Sequence, residues 1–191
     1  MSEKSLLFDR FETMIGTLAI AADATGLRHI EFPSNRHPVS RADWRACSDA
    51  DACVDASTHA VLSAARAQLI EYFAGVRRAF DLPVSPQGTP FQCQVWRTLA
   101  KIGYGETWSY RDLAQAIGNP AAVRAVGAAN GRNPLPIVLP CHRVIGADGA
   151  LVGFGGGLEI KATLLRLEGA RCVAEGVGHG AHAATGDLFG G

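Results

Sequence analysis

Residues 133–146 read Asn-Pro-Leu-Pro-Ile-Val-Leu-Pro-Cys-His-Arg-Val-Ile-Gly, and this stretch constrains the chain most strongly. Its three prolines fix φ and remove N–H donors, which excludes a regular helix and a central strand. A rigid, extended lead-in of this kind predicts that Cys141 is held in one set position. The next residue, His142, is a potential base, so the first question is whether Cys141 is a reactive cysteine.

The pair Cys141-His142 admits two interpretations. A free cysteine is most often a small buried apolar residue, and neighbours on an extended chain point in opposite directions. A nucleophilic cysteine instead needs a base or a positive field that favours the thiolate. On an extended chain, His142 would act through a turn or a water molecule, with a third group that orients its ring.

The composition is that of a globular protein with one or two small domains. The chain has 191 residues, of which 48% are hydrophobic and 19% charged. It shows no signal-peptide pattern and no apolar run long enough to span a bilayer, so we expect no membrane partner. Five irregularly spaced cysteines do not suggest a disulfide framework, which favours a reducing cytoplasm.

The charge is zero overall but unevenly shared. Residues 89–171 carry nine Lys/Arg and five Asp/Glu, which gives +4, whereas residues 1–88 carry nine and eleven, which gives −2. Residues 172–191 contribute the remaining −2. A mildly basic second half permits a polyanionic partner without requiring one.

Residues 1–88 predict a small α/β domain. Two strand-like runs flank the turn signal at 23–26 and predict a hairpin. An irregular loop is expected at 33–56, then a helix from Ser57 to about Ala74. Residues 76–88, with two prolines and a glycine, predict a linker between domains.

A metal site near the predicted loop is an alternative to weigh. Cys47, Cys53 and His59 fall within this region. Their spacing is not a standard zinc pattern and a fourth ligand is missing, so we predict no metal site.

Residues 89–171 predict a helical domain with a helix-turn-helix. Thr89 and Pro90 open a first helix, and the capping box at 109–112 opens a short second one. Asn119 caps the next helix, which begins at Pro120. Two short helices joined by such a tight turn form a helix-turn-helix.

The helix after Asn119 has an unusual surface. It reads Ala-Ala-Val-Arg-Ala-Val-Gly-Ala-Ala, with Arg124 as its one charge. Gly127 weakens a helix by about 1 kcal/mol relative to alanine, so its small size suggests close approach to another surface. This surface either contacts DNA or packs against the rest of the protein.

The chain ends in a glycine-rich loop, a helix and a tail. Residues 153–157, Gly-Phe-Gly-Gly-Gly, are either flexible or the wall of a pocket. The next helix spans about residues 158–167, and Glu168 at its end opposes the helix dipole weakly, as a surface glutamate tolerates. Residues 172–191 predict a disordered tail.

Together these elements resemble a known family. Pro-Cys-His-Arg-Val at 140–144, preceded by Asn-Pro-x-Pro-Ile and followed by the glycine-rich loop and a leucine-rich helix, resembles the active-site signature of O6-alkylguanine-DNA alkyltransferases. The resemblance covers about residues 89–169. It implies a ribonuclease-H-like α/β N-terminal domain followed by an all-α, winged-helix-like helix-turn-helix domain.

The resemblance also implies the chemistry. Cys141 takes the alkyl group from guanine O6 in one irreversible reaction, without a cofactor because the damaged DNA is the donor. Cys141, His142, a water molecule and Glu168 form a relay, and Asn133 is the hinge between the helix-turn-helix and the active-site loop. Tyr110 pushes on the target phosphate and protonates the departing base.

The implied partner is duplex DNA, bound in the minor groove with the damaged base flipped out, by a protein that we expect to be a monomer. Arg124 fills the space that the base leaves. The expected DNA-contacting residues are Tyr110, Arg111, Asn119, Arg124 and Gly127, and the expected pocket residues are Val144, Phe154 and Gly155.

Two positions depart from many relatives, which carry Tyr and then Ser or Ala where this chain has Phe154 and Gly155. A hydroxyl group that would bond the base is absent there, so backbone N–H groups would serve instead. We expect the smaller Gly155 to leave room for alkyl groups bulkier than methyl.

Two other classes of function remain. A lesion sensor keeps the alkyltransferase scaffold but replaces the cysteine, typically with tryptophan, and Cys141 argues against it. A Cys-His hydrolase needs direct contact between Cys141 and His142 and an oxyanion hole, and it leaves the helix-turn-helix unexplained.

Overall fold

The computed structural model describes residues 6–35, 40–48 and 55–170. The predicted tail at 172–191 and Cys53 lie outside the described residues. Within the described ranges, no helix is both long enough and apolar enough to cross a membrane.

The N-terminal half is built on a four-stranded sheet. Three antiparallel strands follow one another, and the predicted hairpin is confirmed as the second and third of them. A short fourth strand pairs in parallel with the first, so the strand order is 3-2-1-4. The strands are β1 (Leu6–Thr13), β2 (Gly16–Asp23), β3 (Gly26–Glu31) and β4 (Trp44–Ala46).

The prediction of an irregular loop at 33–56 was therefore wrong at β4. This strand has three residues, too few to show an alternating pattern. It pairs with a strand more than thirty positions earlier in the sequence, and local sequence does not reveal such pairing.

Helix α1 (Ala56–Phe73) covers the sheet, as predicted. The Asp55 carboxylate caps it by accepting a hydrogen bond from the Thr58 N–H. Its buried face, which includes Leu62, Ala65 and Leu69, packs against β1 and β2.

The predicted linker at 76–88 runs beside the edge strand β3. The Leu27 N–H donates to the Pro83 carbonyl at 2.8 Å, and the Ser85 N–H donates to the Leu27 carbonyl at 2.9 Å. The linker thus extends the sheet at this edge, although it has no regular strand of its own.

Four α-helices lie in the described part of the C-terminal half. Thr89 and Ser109 both form capping boxes, so the predicted starts of the first two helices are confirmed. The indole N–H of Trp96 donates to the Ala129 carbonyl at 2.9 Å and holds the first helix against the third. The helices are α2 (Pro90–Leu99), α3 (Tyr110–Ala116), α4 (Val123–Asn130) and α5 (Leu158–Leu167).

Two details of this half differ from the prediction. The half is not all-α, because β5 (Trp108–Ser109) pairs in parallel with β6 (Val144–Ile145). Asn119 makes no side-chain cap, and Pro120–Ala122 forms a 3-10 turn before α4. The main chain closes this turn instead, since the Asn119 N–H donates to the Ala114 carbonyl and its own carbonyl accepts from the Ala122 N–H.

The close approach of the linker to β3 depends on Gly26. Its φ of +143° disfavours L residues, and an added Cβ would lie 2.5 Å from the Pro83 carbonyl oxygen. Gly26→Ala should therefore strain the backbone and displace the linker, at a cost of about 3 kcal/mol. Urea unfolding monitored by circular dichroism measures this loss.

Gly75→Ala is the matched control. Gly75 also has positive φ, +76°, but nothing lies within 4 Å of an added Cβ. This variant should lose about 1 kcal/mol from backbone strain alone. Equal losses in the two variants would show that the linker contact does not contribute.

Candidate active site

A cavity of about 300 Å³ has Cys141 in its lining. Both halves of the protein form its walls. The C-terminal half contributes the active-site stretch and the glycine-rich loop, and the N-terminal half contributes the end of β3 and the residues after it. Besides Cys141, the lining includes Asn130, Asn133, Phe154 and Gly155, together with His29, Ile30, Glu31, Phe32 and Asn35.

Cys141 opens a 3-10 turn, Cys141–Arg143, so the chain bends where the sequence predicted an extended segment. The cysteine is 4% exposed. Burial raises the pKa of its thiol to about 11, against the smaller opposing effects of the Asn133 side chain and the Lys161 charge. With that pKa, only about one thiol in ten thousand is ionised at pH 7, so formation of the thiolate at neutral pH needs a base.

His142 is fully buried behind the cysteine. Its Nε2 lies 2.8 Å from Glu168 Oε1. Burial lowers the pKa of the imidazole, and the hydrogen bond to Glu168 opposes this only in part. The neutral ring must donate from Nε2 to the carboxylate, which leaves the Nδ1 lone pair free to accept a proton. Nδ1 is buried and has no protein partner among the described residues.

Glu168 is the centre of the buried network, not a surface residue at a helix end. It is 5% exposed. Besides His142, it accepts hydrogen bonds from the Tyr72 hydroxyl at 2.8 Å, from Arg143 Nε and Nη2 at 2.8 and 2.9 Å, and from the Gly105 N–H at 3.2 Å. Burial alone would raise the pKa of this carboxyl, but the bonds from His142 and Arg143 hold it at about 2.

Arg143 supplies the positive charge that balances this carboxylate. Its guanidinium is buried and also donates from Nη1 to the Ile102 carbonyl at 2.5 Å. The Glu168–Arg143 pair carries no net charge. A positive charge on the His142 ring would therefore meet an anion that is already in place.

The active-site stretch is strained and clamped. Among the described residues, Ile137 is the one non-glycine residue with a positive φ, +74°, which is costly for a β-branched side chain. The Asn133 side chain brackets it by donating to the Leu139 carbonyl at 2.6 Å and accepting from the Leu135 N–H at 3.0 Å. The Ile30 N–H of β3 also donates to the Pro134 carbonyl at 2.8 Å.

Tyr110 stands at the start of α3, against the loop that lines the cavity. Its hydroxyl lies 3.2 Å from the Val152 carbonyl and 3.4 Å from the Gly153 carbonyl. Burial and the neighbouring Cys141 raise its pKa, so it stays protonated.

The predicted DNA-contacting residues other than Tyr110 lie on the helix-turn-helix. Arg111, Asn119 and Arg124 are exposed. A Cβ added to Gly127 would lie 3.7 Å from the Tyr110 ring, an ordinary contact. Packing against Tyr110 therefore does not require glycine at this position.

The structure does not bring Val144 to the cavity. Val144 is fully buried in β6, and its carbonyl accepts a hydrogen bond from Lys161 Nζ at 2.5 Å. The sequence analysis missed Lys161, which is itself fully buried and also donates to the Val152 carbonyl at 2.7 Å. Its position three and four residues before Leu164 and Leu165 was the available signal, since it places a lysine on the apolar face of α5.

Of the three residues weighed as metal ligands, the structure describes Cys47 and His59. Cys47 and His59 both line a second cavity, on the N-terminal half. In the ranges that the structure covers, no group of three or more His, Cys, Asp or Glu residues is placed to hold a metal ion.

Comparisons with solved structures agree with this architecture. A crystal structure of Mycobacterium tuberculosis OGT in complex with DNA matches with a TM-score of 0.76 and 40% identity, over 85% of this chain and 92% of the other. A structure of an O6-methylguanine DNA methyltransferase from Methanococcus jannaschii, at 23% identity and a TM-score of 0.53, shares the fold and covers 90% of this chain and 99% of its own.

Comparisons of sequence identify the family. A Bacillus subtilis protein named methylated-DNA–protein-cysteine methyltransferase, constitutive, is 48% identical over 82% of this chain and 92% of its own length. A Methanosarcina barkeri protein named methylated-DNA–protein-cysteine methyltransferase is 42% identical over 85% and 97%. Residues 6–86 match the ribonuclease-like domain of 6-O-methylguanine DNA methyltransferase and residues 90–170 match its DNA binding domain. The chain belongs to the 6-O-methylguanine DNA methyltransferase family.

Proposed function

We propose that this protein repairs alkylated DNA by moving the alkyl group from guanine O6 to its own Cys141, once per molecule. One observation carries the proposal. Cys141 lines a cavity of about 300 Å³, and the residue after it, a neutral His142, is hydrogen-bonded to an ionised Glu168. A cavity of that size is at the lower end of those that bind small ligands.

The first step removes the thiol proton. His142 Nδ1, the buried nitrogen without a protein partner, accepts it through the water molecule of the relay. Glu168 then stabilises the imidazolium through the Nε2 bond at 2.8 Å. The base is needed because burial holds the thiol in its neutral form.

The second step is an in-line displacement. The Cys141 sulfur forms a bond to the alkyl carbon while the bond from that carbon to O6 breaks, and the electron pair goes to the purine. Tyr110, which stays protonated beside the cavity loop, donates a proton to the purine and regains one from the imidazolium through solvent. In sum, the thiol proton ends on guanine, and the product is a neutral thioether.

We propose that the DNA-binding surface is the exposed face of α3 and α4. Arg124 and the small residues around Gly127 suit the narrow minor groove, where Arg124 would fill the space left by the flipped base. Arg111 and Asn119 are exposed on the same helix-turn-helix, where their side chains would contact DNA phosphates. Flipping costs a few kcal/mol, which the pocket contacts offset.

Several finer points stay predictions from the sequence. They are a monomeric state, a cytoplasmic location, absence of a cofactor, and the division into units at 1–88 and 89–171 with the linker at 76–88. O4-alkylthymine is a second substrate that the proposed chemistry permits, because its alkyl group is also carried on an exocyclic oxygen.

The decisive test is intact mass spectrometry after incubation with a duplex that contains one O6-methylguanine. We expect one added methyl group, mapped to Cys141, and no addition in Cys141→Ala. Cys93→Ala is the matched control, since Cys93 is a free and less buried cysteine. Binding without any added mass would favour a lesion sensor, and methylation at another cysteine would contradict the assignment.

Replacement of Glu168 tests the buried network. Glu168→Gln leaves the Arg143 charge buried without its anion, so stability should fall by about 3–5 kcal/mol and methyl transfer should slow. Glu71→Gln is the control, because its ion pair with Arg77 is exposed and should contribute at most about 1 kcal/mol. Similar losses in both variants would contradict the role of Glu168.

The Glu168 contribution has a defined pH dependence. Its folded pKa of about 2 lies below the ordinary value of 4.5, so the stabilisation is complete above pH 4.5 and is lost as the pH falls towards 2. The stability difference between wild type and Glu168→Gln should shrink across this window in urea unfolding curves. A stability difference that stays constant across this pH range would show that the charge of the Glu168 carboxylate does not cause the stabilisation.

Gly155 tests the alkyl pocket. An added Cβ would lie 3.8 Å from both Asn35 Oδ1 and the Gly131 carbonyl, so a small side chain fits but fills the space between the walls. Gly155→Ser should slow transfer of a benzyl group about tenfold and leave methyl transfer nearly unchanged. Single-turnover rates on duplexes with O6-benzylguanine and O6-methylguanine measure this, and equal effects on both would contradict it.

A further inference from the structure

We propose that Asn130 is a specificity-determining residue, whose side-chain oxygen accepts a hydrogen bond from the 2-amino group of the flipped base. The inference rests on the proposed function, because it concerns how the same cavity holds the damaged guanine. Asn130 was not among the residues that the sequence pointed to.

The position of Asn130 is the first observation. It is the last residue of α4, is 2% exposed, and lines the same cavity as Cys141. Its helix is the one expected to enter the minor groove, so Asn130 connects the DNA-binding helix to the floor of the pocket.

The second observation is that the side-chain oxygen of Asn130 lacks a hydrogen-bond partner among the described residues. Asn130 Nδ2 donates to the Cys141 carbonyl at 3.5 Å, a long hydrogen bond. Asn130 Oδ1 is buried and has no hydrogen-bond partner among the residues that the structure describes. A buried acceptor without a donor costs free energy, and a ligand that brings a donor recovers it.

The orientation of this amide is defined by its neighbour. Rotation by half a turn would place Oδ1 against the Cys141 carbonyl, so that two acceptors would face each other. The observed orientation avoids this, and it leaves Oδ1 as the acceptor without a partner on a residue that lines the cavity. Asn130 also affects Tyr110, since it opposes the effect of burial on the pKa of that hydroxyl.

The chemistry of the lesion identifies the missing donor. Alkylation at O6 removes the proton from N1, so N1, N3, N7 and O6 are all acceptors or carry no hydrogen. The 2-amino group is then the one N–H donor that the base retains. An isolated acceptor in the pocket fits this group, and a site built to bond a polar group discriminates strongly against an analogue that lacks it.

The experiment compares two lesions that differ only in this group. Single-turnover methyl transfer is measured with duplexes that contain O6-methylguanine or O6-methylhypoxanthine, each opposite cytosine. Wild type should react about tenfold more slowly with O6-methylhypoxanthine. Because this analogue pairs more weakly and flips more easily, DNA energetics alone would make it react faster, so a slower reaction reports on the pocket.

Two variants complete the test. Asn130→Leu removes the acceptor at similar volume and should react with both lesions at nearly equal rates. Asn130→Asp keeps an acceptor and should keep the preference for O6-methylguanine, even where both rates fall. The free energy of base flipping depends on the duplex and is the same for every variant. It therefore cancels when the ratio of the rates on the two lesions is compared between variants.

Two results would overturn the inference. One is equal wild-type rates on the two lesions, and it needs no variant to fold. The other is a methyl-transfer rate in Asn130→Leu that falls by the same factor for both lesions. That result would mean that Asn130 acts only through the fold or through Tyr110. Absence of any methyl transfer to Cys141 from O6-methylguanine would instead contradict the proposed function itself.

Discussion

The buried carboxylate of Glu168 is the constraint on which the rest of the site depends. A charge in this position is tolerated only with several donors around it, and they come from separate parts of the chain. Tyr72 belongs to α1, Gly105 to the turn before β5, and His142 and Arg143 to the active-site turn. The network that orients the His142 imidazole therefore also connects the two halves of the protein.

A second set of contacts fixes the thiol from the other side. The Asn133 side chain bridges the two ends of the loop that contains Ile137, and the edge strand β3 bonds to Pro134. Without these clamps, the loop would relax from the unfavourable φ of Ile137. Positioning Cys141 thus requires the N-terminal sheet, although the cysteine itself lies in the other half.

Local signals in the sequence predicted much of this structure, and non-local contacts account for the misses. The hairpin, the capping boxes and the site of Cys141 follow from residues a few positions apart. The local pattern alone made Glu168 look like a tolerated surface residue, and only the family resemblance placed it in a relay, because its partners, Tyr72 among them, lie up to 96 positions away in sequence. Lys161 and Asn130 were missed for the same reason, since a polar residue in the core is explained only by what it contacts.

The raised pKa of Cys141 opposes the nucleophilic role that we propose for it, but it suits a group that reacts once. Oxidants consume thiolates far faster than thiols, and they attack exposed sulfur first. Cys141 is 4% exposed and its pKa is about 11, so the resting protein presents almost no thiolate and little exposed sulfur. In the mechanism that we propose, reactivity is confined to the moment when a base fills the cavity and His142 takes the proton. Burial would then slow the other reactions of the thiol, while the His142–Glu168 pair would restore the one reaction that the bound base requires.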